Sequence, residues 1–262
     1  MLRSHRNRTV ENSAAYLIPR LRPGAAVLDV GCGPGTITVD LAARVAPGTV
    51  VGIDNEAAIV ALAREGAQGV ANATVPGATV PNVTFAVGDV YRLEFPDASF
   101  DVVHAHQILQ HLTDPVAALG EMRRVCRPEG VVAARDSDYA AMTWFPPDPA
   151  LDRWLALYHA VTRSNGADAD AGRRLLAWAR AAGFTRVDCS ASAWCYATPA
   201  ERAWWGGLWS ERVVASRLAD QAVERGLATR AQLEEISAAF AEWSNSDDGW
   251  FAVLHGEILC TP

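Results

Sequence analysis

The sequence contains no lysine; all 23 of its basic residues are arginine. Schiff-base chemistry, attachment of pyridoxal phosphate and a phosphate-binding Walker lysine are therefore excluded. Cysteine is scarce: Cys32, Cys126, Cys189, Cys195 and Cys260 are scattered, with no CxxC pair and no zinc spacing. Reduced and mostly buried thiols are expected. No apolar run approaches the roughly 18 residues of a membrane span, so no membrane span is expected. There is no long basic run, and the formal net charge is -7. A nucleic-acid partner is not expected, because phosphate neutralisation needs clustered cations. The opening stretch "MLRSHRNRTVENSAAYLIPRL" has no apolar leader segment or small-residue cleavage site, so a cytoplasmic protein is expected.

What is present is a chain of 262 residues, 50% hydrophobic, long enough for one elaborated domain. "AAVLDV" (25–30) reads as a short buried strand, and 36–46 as a helix with Ile37, Leu41 and Val45 on one face. "TVVGIDNE" (49–56) is a second strand, followed by a helix over about 55–64 and a small-residue loop over 66–82. "VTFAVGD" (83–89), "FDVVHAHQ" (100–107) and "GVVAARDSD" (130–138) are further strands, with a helix at 115–127 between the last two. His111 and Asp114 read as the start of that helix beside Pro115. Alternating strands and helices imply an α/β, doubly wound, mostly parallel sheet.

The second half breaks this rhythm, and all nine tryptophans fall after residue 143. The expected organisation is an arm at 1–23, a core at 24–138 and a proline-broken insertion at 139–167. A core helix and strand follow at 168–198, then a helical insertion at 199–249 and a final strand at 250–262. Trp204, Trp205 and Trp209 are too close in sequence to share one buried helical face, so some of them face a cavity or a partner.

The densest punctuation is in "VLDVGCGPGTITVDLA" (27–42). Gly31, Gly33 and Gly35 follow the first strand, where glycine permits positive φ and lets a ligand reach the backbone. The helix behind them offers its N-terminal amides. The Gly-x-Gly-x-Gly spacing is not the wider one of a dinucleotide site, which argues against a nicotinamide dehydrogenase. Asp54 ends the second strand, where a carboxylate can take two ribose hydroxyls, and Asp89 ends the third, where it can accept from an exocyclic amine. Asp29, at the first strand, either caps the loop or suits a cationic amino-acid tail. His104 and His106 share one side of a strand, but nothing completes a metal site at normal spacing, so no metal is expected.

The set "VLDVGCGPGT", "GID", "GDV", "FDVVHAHQILQHLTDP" and "EMRRVCRPEGVV" resembles class I S-adenosylmethionine-dependent methyltransferases, and within them the ubiquinone and menaquinone C-methyltransferase group. The resemblance covers about residues 24–137 and implies a Rossmann-like seven-stranded sheet, its last strand antiparallel, with helical lid insertions. It implies S-adenosyl-L-methionine as cofactor and S-adenosyl-L-homocysteine as product. Gly31, Cys32 and Gly33 would line the methionine moiety, Asp54 with the adjacent Asn55 the ribose, and Asp89 with the Val90 amide the adenine. His106 would lie near the sulfonium, as a positioning group or a base. The glycine-rich 66–82 loop departs from the shorter link usual there.

In that topology residues 139–165 and 199–249 leave the sheet at its carboxyl edge and would form a lid around an apolar acceptor pocket. Tyr16, Asp138, Tyr139, Trp144, His159, Trp205 and Trp209 are the candidate acceptor contacts, and Asp136 lies among them. "RNR" (6–8) reads as a solvated patch or an arm over the cofactor. The expected activity moves a methyl group to O, N, S or C of a small hydrophobic molecule. A secondary metabolite is one possibility, dithiol S-methylation included. A non-catalytic, cofactor-binding scaffold is the alternative, and the chain is expected to be a monomer or a homodimer.

Overall fold

Strand β1 (Val27–Val30) is buried along its whole length, because helices cover both faces of the sheet at its centre. A computed structural model describes residues 7–74 and 82–262. Next to β1 lie β2 (Val50–Asp54) and β4 (Phe100–His106); β3 (Val83–Val87) continues the sheet beyond β2, and β5 (Cys126–Ser137) beyond β4, all in parallel. β8 (Trp250–Thr261) inserts antiparallel between β5 and β7 (Arg186–Tyr196). The sheet therefore has the expected mostly parallel, doubly wound form with an antiparallel last strand. Among the described residues it counts eight strands because the short β6 (Thr143–Phe145) pairs with residues 250–252 of β8, just beyond the stretch that pairs with β5.

On one face, α1 (Val10–Ser13), a 3-10 turn over Ala15–Arg20 and α2 (Thr36–Val45) cover Val27, Val102, Val131 and Ala133. On the other, α4 (Pro115–Val125) and α6 (Ala171–Ala181) cover Leu28, Val103, Val132 and Ala134. Asp114 caps α4 by accepting the Ala117 amide, with Pro115 in the first turn, while His111 closes the preceding turn rather than capping. Helix α3 (Ala57–Thr74) runs ten residues past the expected stop at Arg64. Its extension holds three alanines with Glu65 and Gln68, good helix formers that carry the helix past two glycines. The rest of the expected 66–82 loop, residues 75–81, lies outside the described residues.

A third cluster forms at the end of the sheet where β4 and β5 finish. It combines α5 (Pro149–Ser164), α7 (Pro199–Arg212), α8 (Arg217–Glu224) and α9 (Arg230–Asn245) with the start of β8. Trp154 and Trp209 are fully enclosed, edge to face at 4.5 Å, with Phe240 and Phe251 around them. Trp205 and Trp209, one helical turn apart, share the buried face of α7, while Trp204 is only partly buried beside Tyr196. Among the described residues no helix is long and apolar enough to cross a membrane. The cysteines are unpaired, as expected, but Cys189 and Cys195 are exposed; only Cys32, Cys126 and Cys260 are buried.

Candidate functional site

The turn after β1 is built from positive φ angles: +67° at Gly31, +55° at Gly33 and +80° at Gly35. A Cβ on Gly31 would come 2.5 Å from Ile108 Cδ1, and one on Gly35 would meet the Phe85 ring at 2.8 Å. The loop is thus wedged between β4 and β3 as well as strained for any other residue. The Cys32 amide donates to the Ile53 carbonyl at 2.8 Å, and the Gly33 amide donates to Asp54 Oδ2 at 3.2 Å. Asp54 Oδ1 accepts the Glu56 amide at 3.1 Å, so the carboxylate is held against the loop. Exposed Asn55 follows it. The Gly88 amide donates to the Asp54 carbonyl at 3.0 Å, which brings the exposed Asp89 and the buried Val90 to the same edge. Burial, reinforced by Asp29 and Asp54, raises the Cys32 thiol far above its ordinary value, so it stays protonated.

Asp29 is placed differently from either expectation. It is 3% exposed, accepts the Thr38 hydroxyl at 2.6 Å on Oδ2 and takes His104 Nδ1 at 2.8 Å on Oδ1. With a protein partner on each oxygen it braces α2 and β4 beneath the loop. The same bond engages His104 Nδ1, while its Nε2 is buried without a partner among the described residues.

The end of β4 carries a further polar group. His106 is 5% exposed, and both of its ring nitrogens are buried without a partner among the described residues. Burial, then the nearby Arg8 and Arg135, hold its pKa well below the ordinary imidazole value, so the ring is neutral. Gln107 follows at φ +54°, a left-handed conformation unusual outside glycine. Its amide donates to the Arg135 carbonyl at 2.7 Å, and its Nε2 donates to His255 Nε2 at 2.8 Å. Arg135, 1% exposed, pairs with Glu257 at 3.2 Å and lies over the Trp194 ring at 4.9 Å. Sequence reasoning missed Gln107, Arg135, Trp194, His255 and Glu257. They sit on three different strands and the turn after β4, and no local pattern links them.

Beside this group opens a cavity of about 580 Å³. Tyr139, Trp205 and Trp209 line it, joined by Trp204, Leu208, Gln107, Arg8 and Arg212. Arg8 corrects the reading of "RNR" as a solvated patch: it is half-buried, donates from Nη2 to Gln107 Oε1 and lies 5.8 Å from the Trp194 ring. Arg6 lies outside the described residues.

Five expected acceptor contacts do not line the cavity. Asp138 is held by Arg173 through two 2.6 Å hydrogen bonds and caps the 3-10 turn Tyr139–Ala141. His159 has both ring nitrogens engaged, with Asp170 Oδ1 at 2.8 Å and the Leu155 carbonyl at 2.9 Å. Trp144 packs on Phe251 at 5.5 Å. Tyr16 packs with the apolar cluster under α1 and α2. Asp136 is fully buried; its Oδ1 accepts the Gln110 amide at 3.1 Å and its Oδ2 has no partner.

A glycine turn at the first strand, carboxylates at the ends of the next two and a cavity across the fourth define a class I S-adenosylmethionine-dependent methyltransferase. Residues 21–183 match the family described as a methyltransferase domain, and the chain belongs to it. It is similar to an uncharacterised methyltransferase of Schizosaccharomyces pombe, 34% identical over 98% of this chain and 91% of that one. The YcgJ protein of Bacillus subtilis shares the fold, with a TM-score of 0.58 at 19% identity over 95% of this chain and 98% of that one. So does the Haemonchus contortus phosphoethanolamine N-methyltransferase 2, solved with S-adenosylhomocysteine: TM-score 0.57 at 18% identity, covering 96% of this chain and 52% of that one.

Proposed function

We propose that the chain transfers a methyl group from S-adenosylmethionine to a nucleophilic atom of a small molecule held in the cavity under Trp205 and Trp209. The observation that carries this reading is the position of residues 106–108. Ile108 lies against Gly31 in the glycine loop, while Gln107 lines the cavity, so the end of β4 is the partition between the two spaces.

The donor side fits the cofactor. Gly31 leaves no room for a side chain, Gly33 and Asp54 form one rigid edge, and Asp89 with Val90 closes the far end. We assign the methionine moiety to Gly31–Gly33, the ribose to Asp54 with Asn55, and the adenine to Asp89 and the Val90 amide. Bound there, S-adenosylmethionine supplies a sulfonium methyl: its C–S bond breaks, the electrons stay on sulfur, and the acceptor's lone pair forms the new bond. The protein's part is then chiefly alignment and exclusion of water, and alignment alone can supply on the order of 7–11 kcal/mol.

Residues 139–167 and 199–249 act as the lid, with Asn7 and Arg8 closing the remaining side. The neutral His106 does not itself line the cavity; it packs 5.9 Å from the lining residue Trp194, and its part is to position the partition. The aromatic lining suits an acceptor with an apolar body, such as a hydrophobic secondary metabolite. Incubation with labelled S-adenosylmethionine and a panel of phenols, amines, thiols and quinones tests this. A product heavier by one methylene, together with S-adenosylhomocysteine, is expected. Absence of S-adenosylmethionine binding by calorimetry overturns the reading, and binding without turnover of any acceptor favours the scaffold instead.

A further inference from the structure

The acceptor cavity carries two guanidinium groups that form no ion pair among the described residues. Arg8 enters from the segment before α1, and Arg212 from the last turn of α7. Among the described residues Arg8 donates only to Gln107, and its Nε is buried without a partner. Arg212 lies 4.7 Å from the Trp209 ring centroid and donates to no described residue; its Nε too is buried and unpartnered. Glu201, the one acid among the described lining residues, already accepts the amides of Ala197 and Thr198 in the cap of α7. Arg135, close beneath, is matched by Glu257.

Unpaired cations drawn out of water are unfavourable, and indole faces offset this only in part. Burial, then the charge of Arg135 and further that of Arg212, lowers Arg8 to about 10, so the like charges act on one another. A neutral acceptor would leave both guanidinia uncompensated as it displaced water, and a cationic one would be repelled. An anion relieves both. Guanidinium donors without protein partners match a carboxylate through paired N–H bonds.

We propose that the cavity selects an acceptor bearing a carboxylate on a planar apolar body, with Arg8 and Arg212 holding the carboxylate and Tyr139, Trp205 and Trp209 flanking the body. This refines the acceptor class of the methyltransferase reading and rests on it. The carboxylate is a handle for orientation; the methylated atom is another nucleophile of the same molecule. The amino-acid end of the cofactor also has a carboxylate, so the test must separate the two sources.

Calorimetric titration with 2-naphthoate and its uncharged analogue 2-naphthamide, each with and without S-adenosylhomocysteine, does so. In the wild type, 2-naphthoate is expected to bind at least about tenfold tighter than the amide, with a preference that shrinks as salt rises. Arg8→Gln and Arg212→Gln are each expected to abolish most of that preference while S-adenosylhomocysteine affinity moves less than about threefold. Equal binding of the two probes to the wild type overturns the proposal and needs no variant. So does a parallel loss of S-adenosylhomocysteine affinity in the variants, which would put the cofactor's carboxylate on these arginines. Failure of S-adenosylhomocysteine to bind the wild type strikes the methyltransferase reading itself, and the probe pair without cofactor still decides the charge preference.

Discussion

Asp54 accepts the Gly33 amide at 3.2 Å, joining the end of β2 to the glycine loop of β1. A second amide, from Glu56, fixes the other oxygen at 3.1 Å. One carboxylate thus shapes the loop and remains at the edge of the cleft, which is the arrangement a ribose-binding acid needs.

Replacing this carboxylate should therefore cost affinity more than stability. Asp54→Ala is expected to weaken S-adenosylhomocysteine binding about 10- to 100-fold, the worth of one or two charge-assisted hydrogen bonds. Calorimetry measures the affinity, and a melting scan run alongside should show a shift of only a few degrees. Unchanged affinity would remove Asp54 from the site.

Gly35 tests the loop's backbone. Alanine there must keep φ at +80° and push its Cβ into the Phe85 ring. Gly35→Ala is expected to destabilise the fold by about 2–4 kcal/mol in urea unfolding, the sum of strain and overpacking. Gly24→Ala, at φ +89° with open space around it, should show the strain alone, about 1 kcal/mol or slightly more. Equal losses at the two positions would mean that the Phe85 contact is soft.

The buried pair of Arg135 and Glu257 makes a sharper prediction. Glu257 also accepts the hydroxyls of Ser190 and Ser192, so it is well satisfied. Glu257→Ala strands Arg135 and should destabilise by about 3–5 kcal/mol. Replacing both, with Arg135→Met and Glu257→Leu, should cost less than the single change, because no lone charge remains. Urea unfolding of the three proteins checks the order.

Asp136 makes stability depend on pH. Burial pushes its carboxyl up to about 7, against amide hydrogen bonds from Gln110 and Leu109 that pull it down. In the unfolded chain it titrates near about 4. The folded state therefore holds the proton more tightly; its stabilising contribution is complete below about pH 4 and is lost as the pH rises through 7. Between pH 5 and 8 the wild type should lose on the order of 1–3 kcal/mol that Asp136→Asn keeps. Parallel curves for the two proteins in urea unfolding would show an ionised Asp136 throughout the range.

Much of this molecule is readable one short window at a time. The strands around Leu28, Ile53 and Val103 announce themselves as brief apolar runs, and Asp114–Pro115 announces a helix start, because burial and capping act over a few residues. The glycine turn is legible for the same reason. The roles of the polar residues were harder to read. Asp138 and His159 have the types and positions of site residues, yet Arg173 and Asp170 engage them. Arg8 looked like part of a charged surface and turned inward to Gln107, 99 positions away in the chain.

Local periodicity and turn chemistry, then, were enough for the sequence by itself to determine the doubly wound sheet, the bare turn after β1 and the acids at the neighbouring strand ends. Only the tertiary structure decided which charged and aromatic side chains face the cavity and which engage one another. The insertion of β8 between β5 and β7 brings Arg135 and Glu257 together across 122 positions, and no short-range pattern encodes a pairing made by strand order.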